Sequence, residues 1–258
     1  MLTLDDFSIY FVCPDLDTPL GGIKVIYQHV DMLRAEGVSA YVLHNQKGFR
    51  CTWFDNNTPV KHASTLFTPS HNDIFVLPEV TDENIHTILS GYHKVILNQN
   101  CYYTFENSTP TSDPRLSPYL DPAVLGCITV SEDSLHYLGY TFPKLALFRV
   151  RNRIDSECFA YRPNKKNQIA YMPRKNAADS TQVFQMLRHR GALQGYKVVP
   201  IDGVSADRAA EIISESMFFF SFGSPEGFSL PPAEAMATGS IVLGYHGQGG
   251  SEFLVNGL

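Results

Sequence analysis

Tryptophan occurs once in this sequence of 258 residues, and charge is scarce: Asp, Glu, Lys and Arg make up 18%, against 44% hydrophobic residues. That balance excludes a disordered chain, which lacks the apolar residues needed to offset the entropy of ordering. Cysteine is sparse and scattered, at Cys13, Cys51, Cys101, Cys127 and Cys158, with no C-x-x-C. An odd, dispersed set argues against a disulfide framework and fits a reduced, cytoplasmic protein. No run reaches the ~18 apolar residues that span a bilayer. Asp5 and Asp6 stand where a signal peptide would carry Lys or Arg. The net charge of −6 provides no basic field for nucleic acid. Also absent are H-E-x-x-H, G-x-S-x-G, a Walker lysine loop and G-x-G-x-x-G, so zincin, hydrolase-elbow, P-loop and simple dinucleotide readings fall away.

What is present alternates. Phe7–Val12 (FSIYFV) predicts a buried strand, Ile23–Glu36 a helix with Ile23, Ile26, Val30 and Leu33 on one face, and Ala40–Leu43 the next strand. Gly37 falls where a left-handed helix cap is expected. Further strands are predicted at Asp73–Leu77, Lys94–Leu97, Leu125–Val130 and Leu145–Val150, with helices at Thr81–Leu89 and Glu132–Leu138, the latter capped by Ser131. The polar stretch Tyr161–Asn167 reads as a linker. Beyond it, strands at Ile169–Met172, Tyr196–Ile201, Met217–Phe222 and Ile241–Tyr245 alternate with helices at Thr181–Arg190, Ala206–Ser214 and Pro231–Thr238. Nearly continuous apolar strands separated by helices imply parallel sheets covered on both faces. The expected architecture is therefore α/β: two tandem Rossmann-like, doubly wound domains, at residues 1–161 and 162–258. Charge is uneven: Lys144 to Arg190 holds eleven Lys/Arg and three Asp/Glu. A focused basic region in an acidic chain points to a phosphate-bearing small molecule rather than a polynucleotide.

The most specific string is Ser224–Gly239, SPEGFSLPPAEAMATG. A strand runs into a loop, Gly227 permits close backbone approach, and Pro231 and Pro232 suit a first helical turn. Free N–H groups at the start of a helix that follows a parallel strand form an anion site at the carboxyl edge of the sheet. Glu226 and Glu234, spaced E-x7-E, can face the same crevice and accept hydrogen bonds from sugar hydroxyls.

This string closely resembles the E-x7-E motif of the family 4 ("group 1") retaining glycosyltransferases of GT-B fold. Gly21-Gly22, Val130–Leu138, Val150–Phe159 and Gly247–Gly257 resemble further segments of that family, in the same order. The resemblance implies that Glu226 contacts the donor sugar and Glu234 the ribose. It places the backbone of Gly227, Phe228, Ser229 and Leu230 along the sugar and phosphate, and Gly21 and Gly22 close to the donor across the cleft. The family's diphosphate cations come from a pattern like G-R-x4-K. This chain instead has adjacent Arg174 and Lys175, which are assigned that role, with Glu226, as catalytic residues. Fixed cations and helix dipoles suffice to stabilise a departing diphosphate, so no cofactor and no metal is expected. The donor is expected to be a UDP- or GDP-sugar and the acceptor a saccharide, lipid or protein, with peripheral membrane association if that acceptor is lipid-linked. The family usually continues past the last strand. Only 13 residues follow Tyr245, so the second domain is expected to be incomplete at its C-terminus. The alternative is a non-catalytic nucleotide-sugar-binding or partner subunit of the same fold, or a fragment of a transferase.

Two weaker features remain. Asp15-Leu16-Asp17 is a D-x-D, but a chain with roughly 5% Asp yields about half such a triplet by chance. Tyr102 and Tyr103, after the strand KVIL, are placed either to stack on an acceptor sugar or simply to pack the loop.

Overall fold

A computed structural model describes residues 6–64, 67–80 and 89–255. It divides into two compact units, Met1–Val150 and Arg151–Leu258.

The first unit is built on seven parallel strands: β1 (Ile9–Val12), β2 (Ala40–His44), β3 (Val60–His62), β4 (Ile74–Pro78), β5 (His93–Asn98), β6 (Val124–Thr129) and β7 (Leu147–Arg149). Their order across the sheet is β3-β2-β1-β4-β5-β6-β7. The chain thus builds outward from β1 on one side, then crosses to β4 on the other, so a topological switch point lies between β1 and β4. Ligand crevices of open α/β sheets form outside the carboxyl ends of the strands at such points. Helix α1 (Gly21–Ala35) buries Ile23, Ile26, Tyr27 and Val30 against Phe11, Val42 and Val76 of the sheet. The opposite face packs Tyr10, Leu43, Phe75 and Leu77. Helix α2 (Glu132–Thr141) is capped as expected, with Ser131 Oγ accepting the N–H of Ser134. The helix expected at Thr81–Leu89 falls almost wholly outside the described residues. Strand β3 was not expected. It spans three residues, none of them buried, and is held by pairing with β2.

The second unit has four parallel strands, β8 (Lys166–Tyr171), β9 (Lys197–Pro200), β10 (Ser216–Ser221) and β11 (Ile241–Gly244), in the order β11-β10-β8-β9. Its switch point lies between β8 and β10. Helices α3 (Ala177–His189), α4 (Ala206–Glu215) and α5 (Leu230–Ala237) connect them. Helix α3 starts at Ala177 rather than at the expected Thr181. One face of the sheet packs Ile212, Ile213, Phe219 and Ala235, and the other packs Ile169, Phe184 and Phe222. The break between units precedes the expected linker at Tyr161. Phe159 is buried in the second core with Ile154 packed against it, and the Arg162 N–H donates to Thr238 O, so residues 151–162 belong to the second unit.

Candidate functional site

The loops leaving β8 and β10 flank the switch point of the second sheet, and the structure ties them together there. Lys175 Nζ lies 2.8 Å from Glu226 Oε1 and donates to Pro225 O at 3.2 Å. Both charged side chains are mostly buried, at 22% and 26% exposure. Such a pair is less screened than an exposed one, which is worth about 0–1 kcal/mol. Next to it, the Asn176 amide donates to Phe222 O at 2.8 Å and to Ser224 O at 3.2 Å. Two of the three residues assigned as catalytic, Lys175 and Glu226, therefore meet. Arg174 does not join them: it is exposed, with no ion pair among the described residues. Adjacent residues leaving a strand point in different directions, which separates the two cations.

The loop after β11 completes the arrangement. Glu226 N donates to Gly247 O at 2.7 Å, and Gly249 N donates to Glu226 O at 3.1 Å. Ser229 Oγ donates to His246 O at 3.0 Å. Two glycines make this closeness possible. A Cβ on Gly247 would sit 2.6 Å from Ser229 Oγ, and one on Gly249 only 1.9 Å from Gly227 O. Gly247 and Gly249, from the string Gly247–Gly257, are thus placed directly against the E-x7-E loop, and Phe228 packs on Phe253 with ring centroids 5.3 Å apart.

Backbone strain gathers at the same edge. Among the described residues, the non-glycine positions of positive φ are Asn176 (52°), Ser229 (66°) and Gln248 (72°), one after each of β8, β10 and β11. Such conformations persist where surrounding contacts over-determine them, and they cluster at ligand sites. They also change the helix starts. Asn176 and Ser229 stand at the N-caps of α3 and α5, where an extended backbone normally lets a side chain accept an N–H. Held left-handed, neither caps its helix. By contrast, Ser205 caps α4 and Ser131 caps α2. The N-cap side chains therefore leave uncapped the first-turn N–H groups of α3 and, in α5, that of Leu230, since Pro231 and Pro232 carry none. Glu234 lies on α5, partly buried. Sequence reading missed Asn176 and Gln248. An Asn immediately before a helix is a signal for the first, because Asn tolerates the left-handed region.

In the first unit, Gly21 and Gly22 open α1, which also lacks a side-chain cap. The Gln99 amide, from the carboxyl end of β5, donates to Gly22 O at 3.0 Å. The D-x-D carboxylates bind the chain itself. Asp15 accepts the N–H groups of Asn45 and Gln46 and lies 3.0 Å from His44 Nδ1, while Asp17 accepts Thr52 N and Oγ1. Tyr102 packs into the loop, its hydroxyl donating to Asp133 at 2.8 Å. Much of the basic region is committed to structure as well. Arg149 pairs with Glu132 and Lys166 with Glu215, and Lys165 Nζ donates to Ser214 O, Thr238 Oγ1 and Ser240 Oγ. Among the described residues, no group of three or more His, Cys, Asp or Glu is placed to hold a metal ion. No helix among them is long and apolar enough to cross a membrane.

Two parallel α/β units, each with glycine-bearing loops at its switch point, form a fold similar to that of the GT-B glycosyltransferases. No protein-family model matches the chain. Among curated proteins it is similar to an α-1,6-glucosyltransferase of Actinobacillus pleuropneumoniae serotype 7, with 28% identity over 255 residues covering 94% of this chain and 73% of that protein. Among solved structures it is similar to sucrose-phosphate synthase from Thermosynechococcus elongatus, with a TM-score of 0.63 and 11% identity, covering 96% of this chain and 83% of that one. It is also similar to Anabaena HepE, solved in complex with UDP, with a TM-score of 0.60 and 13% identity, covering 96% and 83% of the two chains.

Proposed function

We propose that the chain is a retaining glycosyltransferase that moves a hexosyl group from a nucleotide-diphosphate sugar to a hydroxyl acceptor without a metal. The observation that carries this reading is the Lys175–Glu226 pair at the second switch point, beside the uncapped start of α5. A diphosphate leaving group gains negative charge as the glycosidic bond breaks. Lys175 and the backbone N–H groups of Ser229 and Leu230 are donors for that charge, Pro231 and Pro232 having none to give. Glu226 accepts hydrogen bonds from the transferred sugar, and Glu234 from the ribose. Lys175 exchanges part of its contact with Glu226 for the phosphate. HepE was solved with UDP, and the Actinobacillus relative is named for an α linkage. Transfer with retention from an α-linked nucleotide sugar yields such a linkage.

The test is turnover. The chain is incubated with UDP- and GDP-sugars and glucoside acceptors, nucleoside diphosphate release is followed, and the anomeric proton of the product is read by NMR. Release with an α product supports the proposal. An inverted product refutes retention. Nucleotide binding with no transfer across the panel supports the non-catalytic subunit instead.

A further inference from the structure

The residue after Lys175 joins two loops of the second unit. Asn176 ends the β8 loop with φ 52° and ψ 46°, and its carbonyl accepts the Ser180 N–H at 3.1 Å to begin α3. A side-chain amide has two N–H donors. Here they go to one stretch of chain, Nδ2 donating to Phe222 O at 2.8 Å and to Ser224 O at 3.2 Å. Lys175 takes the next two residues of that stretch, donating to Pro225 O at 3.2 Å and lying 2.8 Å from Glu226 Oε1. Two adjacent side chains from the β8 loop thus grip residues 222–226 after β10. The Asn176 grip ends on a fixed point. Phe222 is buried, and its ring packs with those of Tyr171 and Phe184. The first turn of α3 is tied again where the Tyr245 hydroxyl donates to Asp179 at 2.8 Å.

A lysine is a point charge on a flexible four-carbon stem, so the backbone that carries it sets where the charge can reach. That backbone is fixed one residue away. A left-handed position alone would suit glycine, which donates nothing from a side chain. An aspartate of the same shape would set oxygens against two carbonyls, whereas the amide supplies both donors. We propose that Asn176 is the positioning residue of Lys175: its amide clamps the β8 loop to the β10 loop and holds the ammonium at the second switch point before a nucleoside diphosphate arrives. Asn176 acts through Lys175, not on the nucleotide. The proposal rests on the glycosyltransferase reading, in which Lys175 meets the diphosphate.

Phosphorus NMR titration of the whole chain with UDP and GDP tests it, because it follows weak as well as tight binding. Wild type, Asn176→Gly, Lys175→Ala and the double variant are compared. Asn176→Gly keeps the left-handed backbone without strain and loses the clamp. The lost hydrogen bonds imply roughly three- to tenfold weaker nucleotide binding while Lys175 is present. In the Lys175→Ala background the same substitution changes affinity by less than about twofold, because no ammonium is left to position. Asn176→Asp tolerates the left-handed backbone but donates nothing, and is expected to follow Asn176→Gly. Two variants of different chemistry guard against misfolding of either, which hydrogen exchange on β8 and β10 peptides would show. A residue with a merely structural role weakens binding by the same factor in both backgrounds. That result, or unchanged affinity in Asn176→Gly and Asn176→Asp, overturns the proposal and leaves the donor reading intact. Absence of nucleotide binding in wild type overturns the donor reading, and the proposal with it.

Discussion

Gly249→Ala perturbs the site at its tightest point. The added Cβ would lie 1.9 Å from Gly227 O, and ordinary contact begins near 3.4 Å, so the carbonyl must retreat by about 1.5 Å. A shift of that size breaks the two hydrogen bonds that join Glu226 to residues 247 and 249. Each is worth ~0.5–1.5 kcal/mol, and forcing an atom into a packed region adds ~1–3 kcal/mol. The expected loss is about 2–6 kcal/mol, concentrated in the second unit. Gly203→Ala is the control: its φ is +61° with no atom within 4 Å of the new Cβ, so only the left-handed backbone is penalised, by about 1–2 kcal/mol. The two units need not unfold together, so hydrogen exchange is read on peptides from β10 and β11 rather than from a single global transition. Faster exchange there in Gly249→Ala than in Gly203→Ala, with weakened UDP binding, is the expected result. Equal exchange in the two variants would refute the claim that loop crowding organises the site.

Lys175→Ala is expected to weaken nucleotide binding about tenfold or more, with partial recovery in Lys175→Arg, which restores the charge but not the shape; calorimetry reads both. Lys165→Met removes an ammonium that donates to Ser214 O, Thr238 Oγ1 and Ser240 Oγ. It should lower stability by ~1–3 kcal/mol in urea titration and leave nucleotide affinity unchanged. Burial lowers the pKa of His44 from 6.5, chiefly by desolvation, despite Asp15. Its contribution is therefore present above 6.5 and lost as pH falls from there toward the folded-state value. Replacing His44 with Phe should flatten that part of the stability–pH curve.

The strands were legible because each is an apolar run of strand length, as in FSIYFV and MFFFSF, and parallel sheets buried on both faces require that composition. Strand β3 was not, because VKH has no pattern and exists only through pairing with Val42–His44. The E-x7-E loop was legible as a local string. Its partners were not. Lys175 reaches Glu226 through the β8–β10 neighbourhood, which adjacency of Arg174 and Lys175 in the sequence does not reveal. The left-handed caps at Asn176 and Ser229 depend on bonds to distant loops, namely Phe222 O and His246 O.

The central claim is that the second switch point holds a nucleoside diphosphate, and one calorimetric series tests it most directly. UDP and GDP are titrated into the wild-type chain, Lys175→Ala and Glu234→Ala. The expected result is a single site for at least one nucleotide, lost or strongly weakened in both variants. Binding of neither nucleotide, or binding indifferent to both substitutions, would contradict it.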